Sequence, residues 1–168
     1  MDTSRREKIA RGVFLIPDQD VFVVPNVGIV IGEHSALVID TGLGRANGER
    51  VLRAAREIAG DRKLYLTTTH FHAEHGMGAQ AFADEATIVY NRSQRDELIA
   101  EGKRHLESIR ALGGDFADLL ADAETVLPDL VYDSELDLDL GPVSCWDHEV
   151  GVRLRSQIME PRRCRAAS

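Results

Sequence analysis

Residues 63–78 read KLYLTTTHFHAEHGMG, and this stretch decides how the rest of the chain is understood. Its first half, 63–69, is rich in β-branched and aromatic side chains, which suit a pleated strand. His70, Phe71, His72, Ala73, Glu74 and His75 follow at once, and Gly76-Met77-Gly78 closes the segment with turn residues. Three of the six histidines of the chain fall in this cluster. Side-chain direction repeats every two residues along an extended segment, so His70 and His72 point the same way and can converge on one ion. A turn beginning near Ala73 presents Glu74 and His75 to a neighbouring position. Imidazole nitrogen and carboxylate oxygen are the ligand set for zinc. The spacing is not that of the helical zinc proteases, where the histidines stand four apart around a glutamate. A strand end opening into a loop is where sites are built, so the cluster is read as a metal site and not as a His-rich surface turn.

Upstream, residues 12–16, 21–24, 27–31 and 36–39 are candidate strands, separated by Pro17-Asp18, Pro25-Asn26 and Gly32-Glu33-His34-Ser35. Such short connections predict an antiparallel meander. Asp40-Thr41-Gly42 then ends a strand with a turn. A helix is expected over 47–59, with Val51, Leu52, Ala55, Ile58 and Ala59 on one face and Gly60 as its stop. Downstream come a short helix over 79–83, a strand at 87–90 and a longer helix from about residue 93. The apolar stripe expected on that helix is Leu98, Ile99, Leu106, Ile109 and Leu112, with Gly113-Gly114 after it. Residues 130–140 (LVYDSELDLDL) alternate as strands do. Strand–helix–strand order after a meander predicts a mixed α/β layer fold.

The chain has 168 residues, 43% hydrophobic and 29% charged, which excludes a wholly disordered protein and suits a single domain. A net charge of -8 argues against nucleic acid as the main partner, because phosphate binding needs a basic face. Two cysteines, Cys145 and Cys164, cannot make a disulfide scaffold. The most apolar stretch, 21–31, is interrupted by Pro25 and Asn26, whereas a membrane span takes about 20 apolar residues. The apolar run before Pro17 is also shorter than the roughly 7–15 residues of a secretory leader. The chain is therefore expected to be cytoplasmic, with no membrane partner and a mature start near Met1. Gly42-x-Gly44 and Gly76-x-Gly78 are too short for a dinucleotide loop.

Composition changes after residue 144. Residues 1–144 carry 25 acidic and 15 basic residues, a net of -10, while 145–168 carry three and five, a net of +2. Arginine outnumbers lysine 17 to 3, as expected of GC-rich coding. The expectation is a domain over 1–144 and an atypical tail over 145–168, out of frame or otherwise foreign.

The cluster resembles the His-x-His-x-Asp-His signature of the metallo-β-lactamase-fold hydrolases. Val38-Ile39-Asp40-Thr41-Gly42 is similar to the Asp-Thr-Gly element of that superfamily, at a matching distance upstream. The resemblance covers residues 13–143. It implies an α/β (α+β) fold, the N-terminal part of an αββα sandwich, with the second half largely missing. It also implies zinc, one ion or two, with manganese or iron as alternatives. His70 and His72 would hold the first metal, and Glu74 and His75 the second. Asp40 would orient the site without ligating. Two departures stand out. Glu74 occupies the place of the usual Asp, in the manner of a Glu-bearing branch of the family. The third histidine of the first metal, the bridging Asp and the last histidine have no counterpart, and His148, in CWDHEV, has the wrong setting.

Two functional classes follow. In the first, the chain is a metal-dependent hydrolase acting on a small-molecule substrate, an ester, thioester, lactone or β-lactam, through metal-activated water, and impaired by truncation. Glu74 is then its general base if it is not a ligand. In the second, it is a non-catalytic metal-binding remnant, prone to associate as a homo-oligomer through the exposed face of an unfinished sandwich. A partner copy would then be a source of His105 or His148.

Overall fold

The structure, a computed structural model, describes residues 1–18, 23–142 and 149–155. Four strands open the chain: β1 Glu7–Ala10, β2 Val13–Ile16, β3 Val27–Ile31 and β4 Ser35–Ile39. They pair antiparallel in sequence order, as the short connections require. Helix α1 Gly44–Ala59 then crosses to β5 Lys63–Thr67, which pairs parallel to β4. The chain passes through α2 Ala73–Gly76 and a 3-10 turn, Ala79–Phe82, to β6 Ala86–Asn91, parallel to β5. Helices α3 Arg92–Arg110 and α4 Gly114–Leu119 lead to β7 Leu130–Tyr132, parallel to β6. One sheet results, in the order β1-β2-β3-β4-β5-β6-β7. Strands β8 Glu135–Pro142 and β9 Glu149–Arg155 form a separate antiparallel pair.

The period of two in β4 sorts its side chains onto two faces. Ala36 and Val38 join Ile29, Leu64, Leu66 and Ile88 in the core under α1, which contributes Val51, Ala54, Ala55 and Ala59. Leu37 faces the other way and packs with Leu138 and Leu140 of β8. The chain is thus layered as helices, large sheet and a second small sheet, and the expected α/β fold with part of a second sheet is what the structure has.

Several expected elements shift. Asn47 looked like the start of α1, but its side-chain amide turns back to donate to the carbonyl of Leu43 at 2.7 Å, and the helix begins at Gly44. On α3 the buried face is Gln94, Leu98, Gly102 and Leu106, four residues apart. Ile99 and Leu112, expected on that stripe, are 60% and 64% exposed, because Ile99 lies off this face and Leu112 lies beyond the end of the helix at Arg110. Of the strand expected at 21–24, Val21 and Phe22 lie outside the described residues, and Val23 sits in a turn at φ 61. Strand β1 was not expected. Its Glu7 and Lys8 hide it from a hydrophobic reading, and charged residues of this kind suit a sheet edge. Helix α4 also emerges where only a Gly-Gly break was expected.

Beyond residue 144, β9 lies in the stretch read as a foreign tail, and its Leu154 packs against the Leu37–Leu138–Leu140 cluster. Cys145, Trp146, His148 and Cys164 lie outside the described residues. No helix among the described residues is long and apolar enough to cross a membrane.

Candidate metal centre

The site lies at the C-terminal ends of β4 and β5. Ile39 stands opposite Thr67 in the parallel register, and the N–H of Asp40 donates to the carbonyl of Thr67 at 2.9 Å. Both chains leave the sheet at that level, so Asp40 and Thr69 come side by side. Asp40 takes φ 69, a left-handed conformation that Asp tolerates better than most residues. Its carboxylate is 3% exposed and is fully supplied with donors. The Thr69 N–H donates to Oδ1 at 2.8 Å, and the Thr69 hydroxyl lies 3.1 Å from Oδ2. Nδ1 of His75 lies 2.9 Å from Oδ2. A buried carboxylate needs such partners, since desolvation without them is costly.

Strand β5 ends at Thr67, two residues before the expected strand end, and residues 68–72 form an irregular bend. His72 then caps α2 with its backbone, accepting from the N–H groups of His75 and Gly76 at 3.0 Å each. This single turn lifts Glu74 and His75 back toward His70. Thr41 fastens it: its N–H and hydroxyl both donate to the carbonyl of His75, at 2.9 and 2.8 Å. The same hydroxyl accepts from the N–H of Gly78 at 3.1 Å. Gly78 can approach because neither it nor Gly48 of α1 carries a Cβ: one built on Gly48 would stand 2.1 Å from the Gly78 carbonyl oxygen. The glycines flanking Met77 are therefore part of how the site is held.

Among the described residues, donor atoms of His70, Glu74 and His75 all lie within 4.8 Å of one another. Nε2 of His75 is 3.9 Å from a Glu74 carboxylate oxygen. The hydrogen-bond network assigns the His75 tautomer. His75 uses Nδ1–H toward the Asp40 carboxylate, and His70 places Nδ1 3.0 Å from the Thr69 hydroxyl oxygen. In His75 this leaves Nε2 as the lone-pair nitrogen, the arrangement that carboxylate-oriented metal histidines adopt. Two imidazole nitrogens and a carboxylate suit a divalent ion, and burial together with the neighbouring His75 and His72 holds His70 below the usual histidine value, so it stays neutral and able to ligate.

The rings of His70 and His72 lie side by side, and His72 also meets a second imidazole. Its ring meets the edge of His70 at a centroid distance of 4.6 Å and stacks on His105 of α3 at 5.0 Å. Thr41, Thr69 and His105 also border the site; the sequence placed Thr41 in the Asp-Thr-Gly turn and His105 only as a residue that a partner copy would lend. Thr69 was read as strand, and nothing in a threonine next to histidine marks it as a hydroxyl partner. His105 lies far along the chain, on a helix whose polar face reads as solvated. Beneath the site, Thr68 accepts a hydrogen bond from the buried Gln94, and burial pushes the Tyr90 hydroxyl up to about 12.

A family model described as the metallo-beta-lactamase superfamily matches residues 20–152. The chain belongs to the metallo-β-lactamase superfamily. The match runs past the composition change at residue 144. No curated protein matches the chain in sequence. Among solved structures, it is similar to a native metallo-β-lactamase from Legionella gormanii, with TM-score 0.57 and 17% identity over 82% of this chain and 49% of that one. A β-lactamase from Chitinophaga pinensis is similar at TM-score 0.56 and 19% identity, over 82% and 49% of the two chains. A metallo-β-lactamase motif mutant from Cronobacter sakazakii gives TM-score 0.57 and 17% identity, over 81% and 50%. The chain thus spans about half the length of these structures. The His70–Glu74–His75 donors stand just beyond the end of β5 in that fold.

Proposed function

We propose that the protein hydrolyses an acyl compound, an ester, thioester, lactone or β-lactam, at a metal centre held by His70, His72, Glu74 and His75. The observation that supports it is the mutual approach of His70, Glu74 and His75 within 4.8 Å, beside an Asp40 carboxylate that fixes the His75 ring. Zinc is the metal this donor set suits best, with manganese or iron as alternatives. When bound, a divalent ion lowers the pKa of water to about 7 and polarises a carbonyl.

The residues of the chain divide the remaining work. His75 presents Nε2 as a donor beside the His70 ring. Asp40 sets the His75 tautomer, so that ring does not have to reorganise. Glu74 is the one carboxylate in the donor group. Where it is not occupied as a ligand, it is placed to accept the proton of the attacking water and return it to the leaving group. The acidic composition supports a cytoplasmic enzyme that works on small molecules and does not bind nucleic acid, and association into a homo-oligomer belongs to the same reading.

The test is metal content of the purified protein by elemental analysis, together with turnover of chromogenic β-lactam, lactone and thioester substrates in added zinc, manganese or iron. Chelator-sensitive turnover that is lost in His70→Ala supports the proposal. Metal bound through these residues without turnover of any substrate favours a non-catalytic metal-binding protein. Equal metal in a His70→Ala, His72→Ala double variant and the parent removes the assignment altogether.

A further inference from the structure

We propose that the cavity between residues 23–24, Leu43 and helix α4 binds an apolar carboxylate, an acyl chain with one anionic head. The binding stands apart from the metal donors. Only its tie to acyl hydrolysis, which releases a carboxylate, rests on the proposed function.

The cavity has a volume of about 540 Å³, within the roughly 300–1,000 Å³ usual for small-molecule sites. Six apolar side chains line it: Val23, Val24, Leu43, Leu112, Phe116 and Leu119. Leu112 stands past the end of α3 and is 64% exposed, so most of its side chain is open to a ligand. A saturated chain laid against it removes that apolar surface from water, which is the favourable step in such binding.

Asn47 sets the polar end of the cavity. It is 4% exposed, and its amide nitrogen donates to the carbonyl of Leu43 at 2.7 Å, which turns Oδ1 the other way. Two cations converge on that one oxygen. The Met1 ammonium and Nη1 of Arg50 each donate to it at 3.2 Å. A neutral carbonyl does not balance two positive charges, and neither cation forms an ion pair with a carboxylate among the described residues. The nearby Asp2 carboxylate accepts from the N–H and hydroxyl of Ser4. Burial, and after it the Arg50 charge, holds the Met1 amine below its ordinary value. Asp115 is the one acid in the lining, so cations prevail here on a chain whose net charge is -8. A carboxylate head accepts from both cations in charge-assisted hydrogen bonds, the strong kind. A neutral ligand of the same shape gains only the apolar contact. Leu43, Phe116 and Leu119 also pack in one cluster with Ala73 and Met77, on either side of Glu74 and His75, so the cavity and α2 share a wall.

Isothermal titration of the full chain with octanoate, and with octanol as the neutral control, tests this. Octanoate is expected to saturate one site and to bind at least ~10-fold more tightly than octanol, the gain of one hydrogen bond to a charged group. Arg50 is exposed on α1, so Arg50→Gln keeps the fold, with circular dichroism as the check. It should cut octanoate affinity at least ~10-fold and leave octanol unchanged. Leu112→Ala should weaken both ligands. Octanoate binding is expected to persist in His70→Ala, which separates the cavity from a carboxylate landing on the metal donors. Octanoate no tighter than octanol, parental octanoate affinity in folded Arg50→Gln, unchanged binding of both ligands in Leu112→Ala, or loss of octanoate binding in His70→Ala would each overturn the proposal. A chain that binds octanoate but no metal keeps this inference and loses the metal centre, and a chain that binds metal but no octanoate does the reverse.

Discussion

Oδ2 of Asp40 lies 2.9 Å from Nδ1 of His75, across a gap of 35 positions in sequence, and this contact fixes the chemistry of the cluster. It joins the end of β4 to α2 and decides which His75 nitrogen is left for a metal. The first prediction follows from it. In Asp40→Asn the shape and the tolerance of φ 69 are kept, but the amide cannot accept from both Thr69 and His75. One of the two donors then meets an N–H. Zinc affinity, read by competition with a chelating dye, is expected to fall about 10–100-fold, as for other partners that orient metal histidines. Unchanged affinity would mean that Asp40 serves only to end the strand.

Glycine 48 tests how the site is braced from below. A methyl group there would stand 2.1 Å from the carbonyl oxygen of Gly78, a backbone atom that cannot swing aside. In an ordinary helix interior, Gly→Ala gains about 1 kcal/mol. Here overpacking should reverse the sign, with a net loss of about 1–3 kcal/mol in urea unfolding. Because Gly78 donates to Thr41, and Thr41 holds the His75 carbonyl, metal affinity should fall as well. A stabilised Gly48→Ala with intact metal binding would refute the close approach of α1 to this turn.

The meander, the strand–helix–strand order and the grouping of histidines with a glutamate were legible in the sequence because each rests on local chemistry. Short runs rich in β-branched and other apolar residues mark β3 and β4, and three histidines with a glutamate stand out whatever surrounds them. What was not legible depended on tertiary distance. The partition of His72 toward His105, away from His75, is set by where α3 packs. The β1 strand carries no hydrophobic signature, and the burial of Gly102 beside Thr125 while Ile99 stays exposed follows from where α3 packs. Composition sets the chain after residue 144 apart, but charge balance does not report on strand pairing, and the pairing of β9 with β8 was not legible in it.

Tyr90 gives a pH dependence whose sign is fixed. Its hydroxyl is buried and titrates near about 12, against 10.0 when free. Between those values the folded state holds a proton that the unfolded state has released, so stability is full below pH 10 and declines as pH rises toward 12. The shift corresponds to about 2–3 kcal/mol at 1.36 kcal/mol per unit. Urea unfolding at pH 9 and 11.5 should show this decline in the parent and a shallower one in Tyr90→Phe. Equal slopes in the two proteins would show that other groups account for alkaline unfolding.

Leu154 tests whether β9 belongs to the core. It stands opposite Leu136 in the β8–β9 register and packs on the cluster of Leu37, Leu138 and Leu140. A fully buried leucine truncated to alanine costs 2–5 kcal/mol. Leu154 is only half-buried, so Leu154→Ala should lose about 1–2 kcal/mol. Removing residues 145–168 should cost more, because β8 would lose its antiparallel partner and leave Leu138 and Leu140 on an unpaired strand. Thermal and urea unfolding of both variants supply the check. Stabilities within about 0.5 kcal/mol of the parent, the range typical of surface changes, would show that the segment after residue 144 adds nothing to the fold and that the composition break was the better guide.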